Sequence, residues 1–441
     1  MAWDFETDPE YQEKLDWVEQ FVRDEVEPAD RLIVHPLDMT DPVRNALIKP
    51  LQDEVRKRDL WACHLGPELG GPGYGQLKLA LLNERIGTTL SGPVVFGTQA
   101  PDSGNAEVLA HFGSEELKDR YLKPLLAGEI ASCFSMTEPS GGSDPTGFTT
   151  RAVRDGDHYV VNGEKWFSSN AKFASFLVLM AVTDPEAPRH RRASMFVVPA
   201  DTPGVEIIRN VGVTGHAGHE GTHAYVRYTD VRIPANHLLG AEGDGFTVAQ
   251  VRLGGGRIHH AMRTVALVRK SLDMMLERAV SRQTRGQRLG DLQMVQDMIA
   301  ESWVQLEQFR LFVLQTAWKI DRYQDYKKVI KDIAGVKMAM PKVLHDVASR
   351  ALQIHGSLGI STELPLGKWV LESYHMAIAD GATELHKQQV AKQLLRGVEP
   401  APDLFPSRHN LRLDAAARAK FAAVLDAVAA DQEAIAGVGA R

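Results

Sequence analysis

The chain has 441 residues, of which 44% are hydrophobic and 24% charged, which is the composition of an ordinary globular protein with two or three domains. Fifty basic against 57 acidic side chains give a net charge of −7, which argues against nucleic acid as the main partner. Two cysteines, Cys63 and Cys133, imply neither a disulfide framework nor a thiolate metal site. We expect a cytoplasmic protein without a membrane span, because no apolar run approaches ~20 residues and the N-terminus has no signal or transit pattern.

Residues 1–131 form the first predicted domain, in which the apolar pattern is helical. Between residues 15 and 26 apolar side chains recur at three- and four-residue steps, the period of an amphipathic helix. A second helix is predicted to begin at Pro42, since proline is favoured in a first turn. We expect Pro50 to kink or split this helix, because proline removes a hydrogen bond from a helix interior.

Residues 132–242 form the second predicted domain, where short β-rich segments alternate with turn residues. We expect an all-β domain, either a small barrel or a sandwich. The Asn162-Gly163 pair between two apolar runs is typical of a hairpin turn. Three histidines lie close together further along: His216, His219 and His223. We predict that they bind no metal, because no cysteine or supporting pattern accompanies them.

Residues 243–398 form the third predicted domain, built from long amphipathic helices joined by short loops. This pattern predicts an antiparallel helical bundle. Four aromatic residues are predicted to pack in its core: Trp303, Phe309, Phe312 and Trp318. Residues 399–441, first proline-rich and then alanine-rich, are predicted to be a C-terminal tail that docks as an appendage. The expected fold class is α+β and mostly helical.

Residues 133–144, Cys-Phe-Ser-Met-Thr-Glu-Pro-Ser-Gly-Gly-Ser-Asp, form a polar stretch at the first domain junction. Gly141 and Gly142 allow the backbone to approach a ligand closely, and Pro139 favours an irregular loop. Such a loop presents hydroxyls and backbone N–H groups to a polar ligand. Taken alone, the stretch is equally typical of an ordinary serine- and glycine-rich turn.

This stretch and several later motifs, in the same order, resemble the acyl-CoA dehydrogenase family. The later motifs are Tyr-Thr-Asp-Val-Arg-Ile-Pro-Ala-Asn-His-Leu-Leu-Gly (228–240), Arg-Gln-Thr-Arg-Gly (282–286), Gln-Ile-His-Gly (353–356) and Ala-Asp-Gly-Ala-Thr-Glu-Leu-His (379–386). The resemblance extends to about residue 397. Residues 254–263, Gly-Gly-Gly-Arg-Ile-His-His-Ala-Met-Arg, together with Asp380, are similar to the subgroup that includes vertebrate members ten and eleven. Those relatives are linked to longer, branched and 4-hydroxylated acyl-CoA substrates.

The resemblance implies removal of the α-proton of an acyl-CoA thioester by a carboxylate, while a hydride leaves the β-carbon for FAD. The carboxylate implied is Asp380, at the position where the family has a glutamate followed by Gly-Thr. Aspartate is one methylene shorter, and a shift of about 1 Å in reacting geometry can cost on the order of 10²-fold in rate. Without the resemblance, Asp380-Gly381 would be interpreted as a turn between helices.

The resemblance also implies FAD between the β domain and the bundle. The residues implied to hold it on the β side are Phe134, Met136, Thr137, Ser143, Phe167, Ser168 and Ser169. Ala382 and Glu384 are implied to contact the flavin beside the base, and Arg282, Gln293, Gln353 and Gly356 to hold the adenine half of a neighbouring subunit's FAD. Such a shared site implies a homodimer or homotetramer. Arg285 departs from the family, which usually has phenylalanine there, and Phe167 stands where tryptophan is common.

The residues implied to bind acyl-CoA are Ser143, Gly256, Arg257, Gly381 and Lys392. Arg257 could equally be a surface arginine at a helix start, although three preceding glycines favour a close backbone approach. An exposed helical lysine is nearly as good an interpretation of Lys392. His259 and His260 are adjacent and cannot share one helix face, so we expect at most one of them to line the pocket.

The predicted function is an FAD-dependent acyl-CoA dehydrogenase that passes electrons to an electron-transferring flavoprotein. A flavin oxidase on the same fold is one alternative, acting on an acyl-CoA or a nitroalkane, since nitroalkane-oxidising relatives also use aspartate as base. A second alternative is a non-catalytic or nucleic-acid-binding relative with bound flavin. The carboxylate at position 380 and the net charge of −7 count against it.

Overall fold

The computed structural model describes residues 5–213 and 221–438 of the chain. Its contacts divide the chain into two compact units, Met1–Val390 and Ala391–Arg441. Within the first unit the order along the chain is helices, then a sheet, then longer helices. This confirms the predicted α+β, mostly helical class.

The N-terminal region is helical up to the first strand. Its helices are α1 (Pro9–Phe21), α2 (Glu27–Asp30), α3 (Pro42–Arg56), α4 (Gly75–Ile86), α5 (Gly92–Val95), α6 (Asp102–Phe112), α7 (Glu115–Leu117) and α8 (Lys123–Ala127). Helix α3 begins at Pro42 as predicted, with the Asp41 carboxylate accepting a hydrogen bond from the Val43 N–H. The predicted split at Pro50 was wrong, because α3 continues to Arg56. Pro50 lies on the exposed face, where water can satisfy the carbonyl that proline leaves without a donor.

The middle of the chain forms one seven-stranded sheet. Its strands are β1 (Ser132–Ser135), β2 (Arg151–Asp155), β3 (His158–Ser169), β4 (Phe176–Val182), β5 (Ala193–Pro199), β6 (Val205–Val211) and β7 (His223–Pro234). The short strands β1 and β2 both lie between β3 and β4, while β5 covers the other edge of β4 and β7 lies between β3 and β6. One face packs on α6, α8 and the start of the bundle, and the other encloses its own apolar core.

The predicted hairpin turn at Asn162-Gly163 was wrong. Both residues lie inside β3, at a register shift against β7 where the Asn162 side chain donates to Asp230. Gly163 has φ 147°, and a Cβ there would lie 2.6 Å from the Thr150 hydroxyl oxygen, so glycine is required for close packing rather than for a turn. The chain turns instead between β2 and β3, at Gly156 with φ 62°.

After β7 the chain forms a helical bundle with a small hairpin. Its elements are α9 (Gly245–Ser281), β8 (Gln283–Thr284), β9 (Gln287–Arg288), α10 (Gln293–Tyr323), α11 (Tyr326–His355), α12 (Ser357–Ile360), α13 (Leu366–Ile378) and α14 (Thr383–Leu395). Helices α9, α10 and α11 share one core with α1, α3 and α4. Phe309 is buried and Phe312 packs against that core, as predicted. The prediction for Trp303 was wrong, since its side chain is 57% exposed on the outer face of α10.

Two helices, α15 (Asn410–Lys420) and α16 (Ala422–Val438), occupy the second unit and contact each other. None of the helices in the described residues combines the length and the apolar character needed to cross a bilayer.

Candidate active site

Asp380 lies in the short connection between α13 and α14. Helix α13 ends with the Ala379 N–H on the carbonyl of His375, after which Asp380 adopts φ 55° and Gly381 φ 106°. A positive φ is costly for a residue that has a side chain, so the surrounding structure must hold Asp380 in this conformation. The turn directs the Asp380 carboxylate toward α9.

One face of α9 receives this carboxylate. Arg252, Gly256 and His260 follow each other at four-residue steps and therefore share that face. Asp380 Oδ2 lies 3.4 Å from His260 Nε2, and Oδ1 lies 3.9 Å from Arg252 Nη1. A Cβ at Gly256 would lie 3.2 Å from Oδ2, so glycine lets the aspartate approach the helix directly.

Arg257, one of the predicted substrate-binding residues, holds the backbone at the same place. Its Nε donates to the main-chain oxygen of Asp380 at 2.9 Å. The three glycines 254–256 lie inside α9 rather than before it, because the helix begins at Gly245. Arg257 is therefore not at a helix start, and the structure brings Gly256, Arg257, Asp380 and Gly381 together.

The pKa of Asp380 is lowered below its ordinary value. Burial acts to raise this pKa, but the hydrogen bond to His260 and the charges of Arg252 and Arg257 outweigh burial. Burial also lowers the pKa of His260, so its imidazole is neutral at pH 7 and donates to Asp380 as a neutral N–H. The two arginines therefore supply the positive charge that keeps the carboxylate ionised.

A cleft lies against this carboxylate, between α6 and α9. Its lining is formed by Ala100, Ser103, Gly104, Glu107, Arg252, Gly256, His259, His260 and Asp380. Burial raises the pKa of Glu107 to about 7, and the charge of Arg252 opposes that rise. Most of the lining side chains are polar, so the cleft offers hydrogen-bond partners to a polar group placed beside Asp380.

Both adjacent histidines line the cleft, and the prediction that at most one would do so was wrong. His260 contacts Asp380, whereas His259 Nε2 lies 3.0 Å from the side-chain oxygen of Gln76 on α4. Successive helical residues point about 100° apart, and the cleft extends around that part of α9. The two rings consequently border the cleft from different directions.

Arg252 connects the cleft with the β domain. Its guanidinium lies 3.8 Å from the ring centroid of Phe134 on β1 and donates to Asn105 on α6 at 3.2 Å. Sequence reasoning missed Arg252 and Glu107. The four-residue spacing from Arg252 to Gly256 was a usable signal for the arginine, but nothing in the sequence places Glu107 across from α9.

The loop after β1 is fixed by β3. Lys165 donates to the Met136 carbonyl at 2.7 Å and pairs with the buried Glu138, and the Trp166 N–H donates to the Thr137 carbonyl. The strand register places Phe134 opposite Ser169. Of the predicted flavin residues, Phe134, Met136, Thr137 and Ser169 are therefore neighbours at one end of the sheet.

The adjoining part of β3 contains a bulge between Lys165 and Ser168, where Phe167 adopts φ 54°. The Ser168 hydroxyl lies inside the sheet, 2.9 Å from that of Ser135, whereas Ser169 Oγ faces His223 Nδ1 at 3.0 Å. Ser143 is exposed.

The residues present fit a flavin. Phe134 and Phe167 provide aromatic surface near the Thr137 and Ser169 hydroxyls. A Cβ added to Gly142 in the adjacent loop would lie 3.1 Å from Thr137 Cγ2, so glycine lets this loop lie close against Thr137. An aromatic wall with a few polar groups is typical of a cofactor site.

The residues predicted to serve a neighbouring subunit's FAD are all exposed: Arg282, Gln293, Gln353 and Gly356. Arg285 is also exposed, with φ 51° at the turn between β8 and β9. Beside the base, Ala382 is half-buried and Glu384 exposed, and Lys392 is exposed in the second unit.

Of the three histidines that were predicted to bind no metal, His216 and His219 lie outside the described residues. His223 is half-buried beside Ser169 and His375, and burial lowers its pKa to about 4. Within residues 5–213 and 221–438, no group of three or more histidine, cysteine, aspartate or glutamate side chains is arranged to hold a metal ion.

Comparison with known proteins identifies the family. Residues 8–129, 133–231 and 243–395 match the N-terminal, middle and C-terminal domains of acyl-CoA dehydrogenase. The chain is 39% identical over 404 residues to mouse "Acyl-CoA dehydrogenase family member 11", covering 87% of this chain and 50% of that protein, so it spans about half the length of this relative.

Two shorter proteins match over most of their length. "Probable acyl-CoA dehydrogenase FadE2" of Mycobacterium tuberculosis is 39% identical over 363 residues, covering 81% of this chain and 87% of that protein. The structure of butyryl-CoA dehydrogenase from Megasphaera elsdenii superposes with a TM-score of 0.75 at 26% identity, covering 89% of this chain and 100% of that chain. The chain belongs to the acyl-CoA dehydrogenase family.

Proposed function

We propose that this chain is an FAD-dependent acyl-CoA dehydrogenase with Asp380 as its base, converting an acyl-CoA thioester to the 2-enoyl-CoA. The observation that carries the proposal is the Asp380 carboxylate held against the glycine face of α9, in a chain of this family. A carboxylate without a proton is the state a general base needs before reaction.

FAD is assigned to the end of the sheet where Phe134, Thr137, Phe167 and Ser169 meet, and it would supply the acceptor for the β-hydrogen. The aromatic side chains would lie along its ring system, and the hydroxyls and main chain of the loop after β1 would contact its polar edge. Arg252 joins this region to the base, since it contacts both Phe134 and Asp380.

Asp380 would take the α-proton of the thioester. The hydrogen bond to His260 and the charges of Arg252 and Arg257 lower the pKa of Asp380, so it is a weak base. The α-proton must therefore be made more acidic by donors on the thioester oxygen. Arg257 contributes in another way, since it binds the Asp380 main-chain oxygen and so limits movement of the carboxylate. The aspartate side chain is one methylene shorter than the family's glutamate, so its position must be held closely, because small displacements have large effects on rate.

For the substrate we propose a medium or long acyl chain that is hydroxylated or branched. The support is the polar lining beside Asp380, where Ser103, Glu107, Arg252 and His259 could hydrogen-bond a hydroxyl. A site with buried polar groups discriminates strongly against analogues that leave those groups unpaired.

The proposed electron acceptor is an electron-transferring flavoprotein. The proposed active assembly is a homodimer or homotetramer. The exposed positions of Arg282, Gln293 and Gln353 support the second proposal, because they are accessible to the FAD of a neighbouring subunit.

The test is anaerobic mixing of the FAD-loaded protein with a panel of plain and 4-hydroxylated acyl-CoA thioesters. We expect the flavin absorbance near 450 nm to bleach, and the hydroxylated members to bleach it faster. Absence of bleaching with every thioester contradicts the proposal. Rapid peroxide formation in air, with no flavoprotein acceptor present, favours the oxidase alternative.

A further inference from the structure

A lysine with no part in the chemistry described so far lies directly behind the base. Lys337 is on α11 and is only 1% exposed. Its Nζ donates to the Met376 carbonyl at 2.5 Å and lies 3.5 Å from the Gly381 carbonyl. Met376 is in the last turn of α13, and Gly381 immediately follows Asp380. The ammonium therefore binds the chain on both sides of Asp380.

The partners of Lys337 distinguish it from a buried ion pair. Both hydrogen-bond acceptors are main-chain carbonyl oxygens. The charge of Asp380 favours the ammonium from further away but does not outweigh the cost of its removal from water. An apolar side chain of similar length would fill the same space without that cost. The buried charge is therefore better explained by what it does to the backbone than by a contribution to stability.

Three of the last carbonyls of α13 accept hydrogen bonds from different kinds of donor. The His375 carbonyl accepts from the Ala379 N–H, and the Ala377 carbonyl from the Thr383 hydroxyl. The Met376 carbonyl accepts from Lys337. A cation at the negative end of a helix is favourable, and here it also fixes the point at which the chain turns into Asp380.

The backbone of Asp380 is held from a second direction. Arg257 on α9 donates to the Asp380 carbonyl, while Lys337 on α11 holds the residues before and after it. Asp380 has φ 55°, a conformation that persists only where its surroundings impose it. Two cations from two helices thus determine the position of this one residue.

We propose that Lys337 is a positioning residue for the base, which fixes the turn on both sides of Asp380 so that its carboxylate faces the cleft. This inference rests on the proposed function, since it concerns the residue assigned there as base. Lys337 acts on the backbone on either side of Asp380 and is not one of the residues that line the cleft.

The charged and titratable groups around Lys337 are Arg257 on α9, His375 on α13, Asp380 in the turn after α13, and His386 on α14. Burial lowers the pKa of Lys337 to about 8, whereas it lowers that of His386 to about 4. A hydrogen bond to Glu372 raises the pKa of His375, so His375 is the neighbour whose titration must be separated from that of Lys337.

The variant that tests the proposal is Lys337→Met, with Lys342→Met as control, because Lys342 lies on the same helix with its side chain 74% exposed. The measurement is stopped-flow flavin reduction by acyl-CoA in the FAD-loaded protein. For Lys337→Met we expect the reduction rate to fall about 10- to 100-fold, the scale of a misplaced reacting group, with the half-saturating substrate concentration little changed. The control should react at the wild-type rate.

A pH series provides a readout that a purely structural role does not change. Lys337 loses its charge as pH rises through about 8, and charge-assisted hydrogen bonds are about twice as strong as neutral ones. The neutral amine should therefore hold the turn less firmly, and the wild-type reduction rate should fall several-fold. The fall should persist in His375→Gln and be absent from Lys337→Met. If Lys337→Met fails to retain FAD, the wild-type pH series still tests the proposal. A wild-type reduction rate that is constant up to pH 9.5 overturns it.

The outcomes separate this inference from the proposed function. If the wild type is not reduced by any acyl-CoA, the proposed function fails. If the wild type is reduced and FAD-loaded Lys337→Met is reduced within twofold of its rate, Lys337 does not position the base and the inference alone fails.

Discussion

At the scale of single residues, the site depends on how closely Asp380 approaches α9. Asp380, Gly256 and Arg257 were predicted from sequence, and the structure places them in contact. Arg252 and Lys337 were not predicted. The four-residue spacing to Gly256 was a signal for Arg252 that went unused, whereas the partners of Lys337 lie more than 30 residues away along the chain. Contacts of this kind come from packing, and local residue patterns carry no record of them.

Gly256→Ala tests this close approach. The added Cβ would lie 3.2 Å from Asp380 Oδ2, so the carboxylate must move by a few tenths of an ångström. We expect flavin reduction to slow by about 10-fold, since reacting geometry is sensitive at this scale. The fold should be unchanged or more stable by up to about 1 kcal/mol, because alanine favours helix over glycine.

Gly254→Ala is the matched control on the same helix. Its Cβ would lie 3.5 Å from the Tyr326 ring, which is ordinary contact. It should show the same gain in thermal stability without the loss of rate. Equal reduction rates for the two variants would mean that the space at Gly256 does not matter to the base.

At the scale of elements, sequence patterns identified helices and strands better than they identified turns. Asn162-Gly163 has the composition of a hairpin turn, yet the pair forms a bulge within β3 because glycine is needed against Thr150. Pro50 did not end α3, since its exposed side tolerates the missing hydrogen bond. In each case the local structure depends on a neighbouring element or on the solvent. A single segment of sequence carries no information about either.

The same limit applies to α10. Its apolar pattern predicted a core position for Trp303, but the side chain is exposed on the outer face, and Met294 on the same helix is 76% exposed. A helical pattern shows that a face is apolar but not which partner covers it. Exposed apolar side chains on a long helix favour a contact with another molecule.

At the scale of the whole molecule, the order of helices, sheet and bundle was predicted and is confirmed. The assembly of copies of the chain was predicted only through exposed residues such as Arg282 and Gln353. Their side chains are exposed on the described part of one chain, so their role depends on a neighbouring subunit. Their assignment to a neighbouring subunit's FAD remains a prediction with a direct test.

Mixed oligomers provide that test. Asp380→Asn lacks the base but keeps the exposed FAD contacts, whereas Arg282→Glu keeps the base and disrupts one of those contacts. Each variant alone should be inactive or nearly so. When they are unfolded and refolded together in equal amounts, a subunit with an intact Asp380 can pair with an intact Arg282. Random pairing makes such sites about a quarter of the total, so about a quarter of wild-type activity should return. If each subunit binds its own FAD completely, mixing restores nothing.

The central claim is that Asp380 removes the substrate proton, and the most direct measurement compares anaerobic flavin reduction by acyl-CoA in the wild type and in Asp380→Asn. Asparagine preserves the shape of the side chain but cannot accept the proton. The variant should retain FAD, bind acyl-CoA and be reduced about 10²- to 10⁴-fold more slowly than the wild type. Reduction of FAD-loaded Asp380→Asn at the wild-type rate would contradict the assignment of Asp380 as the base.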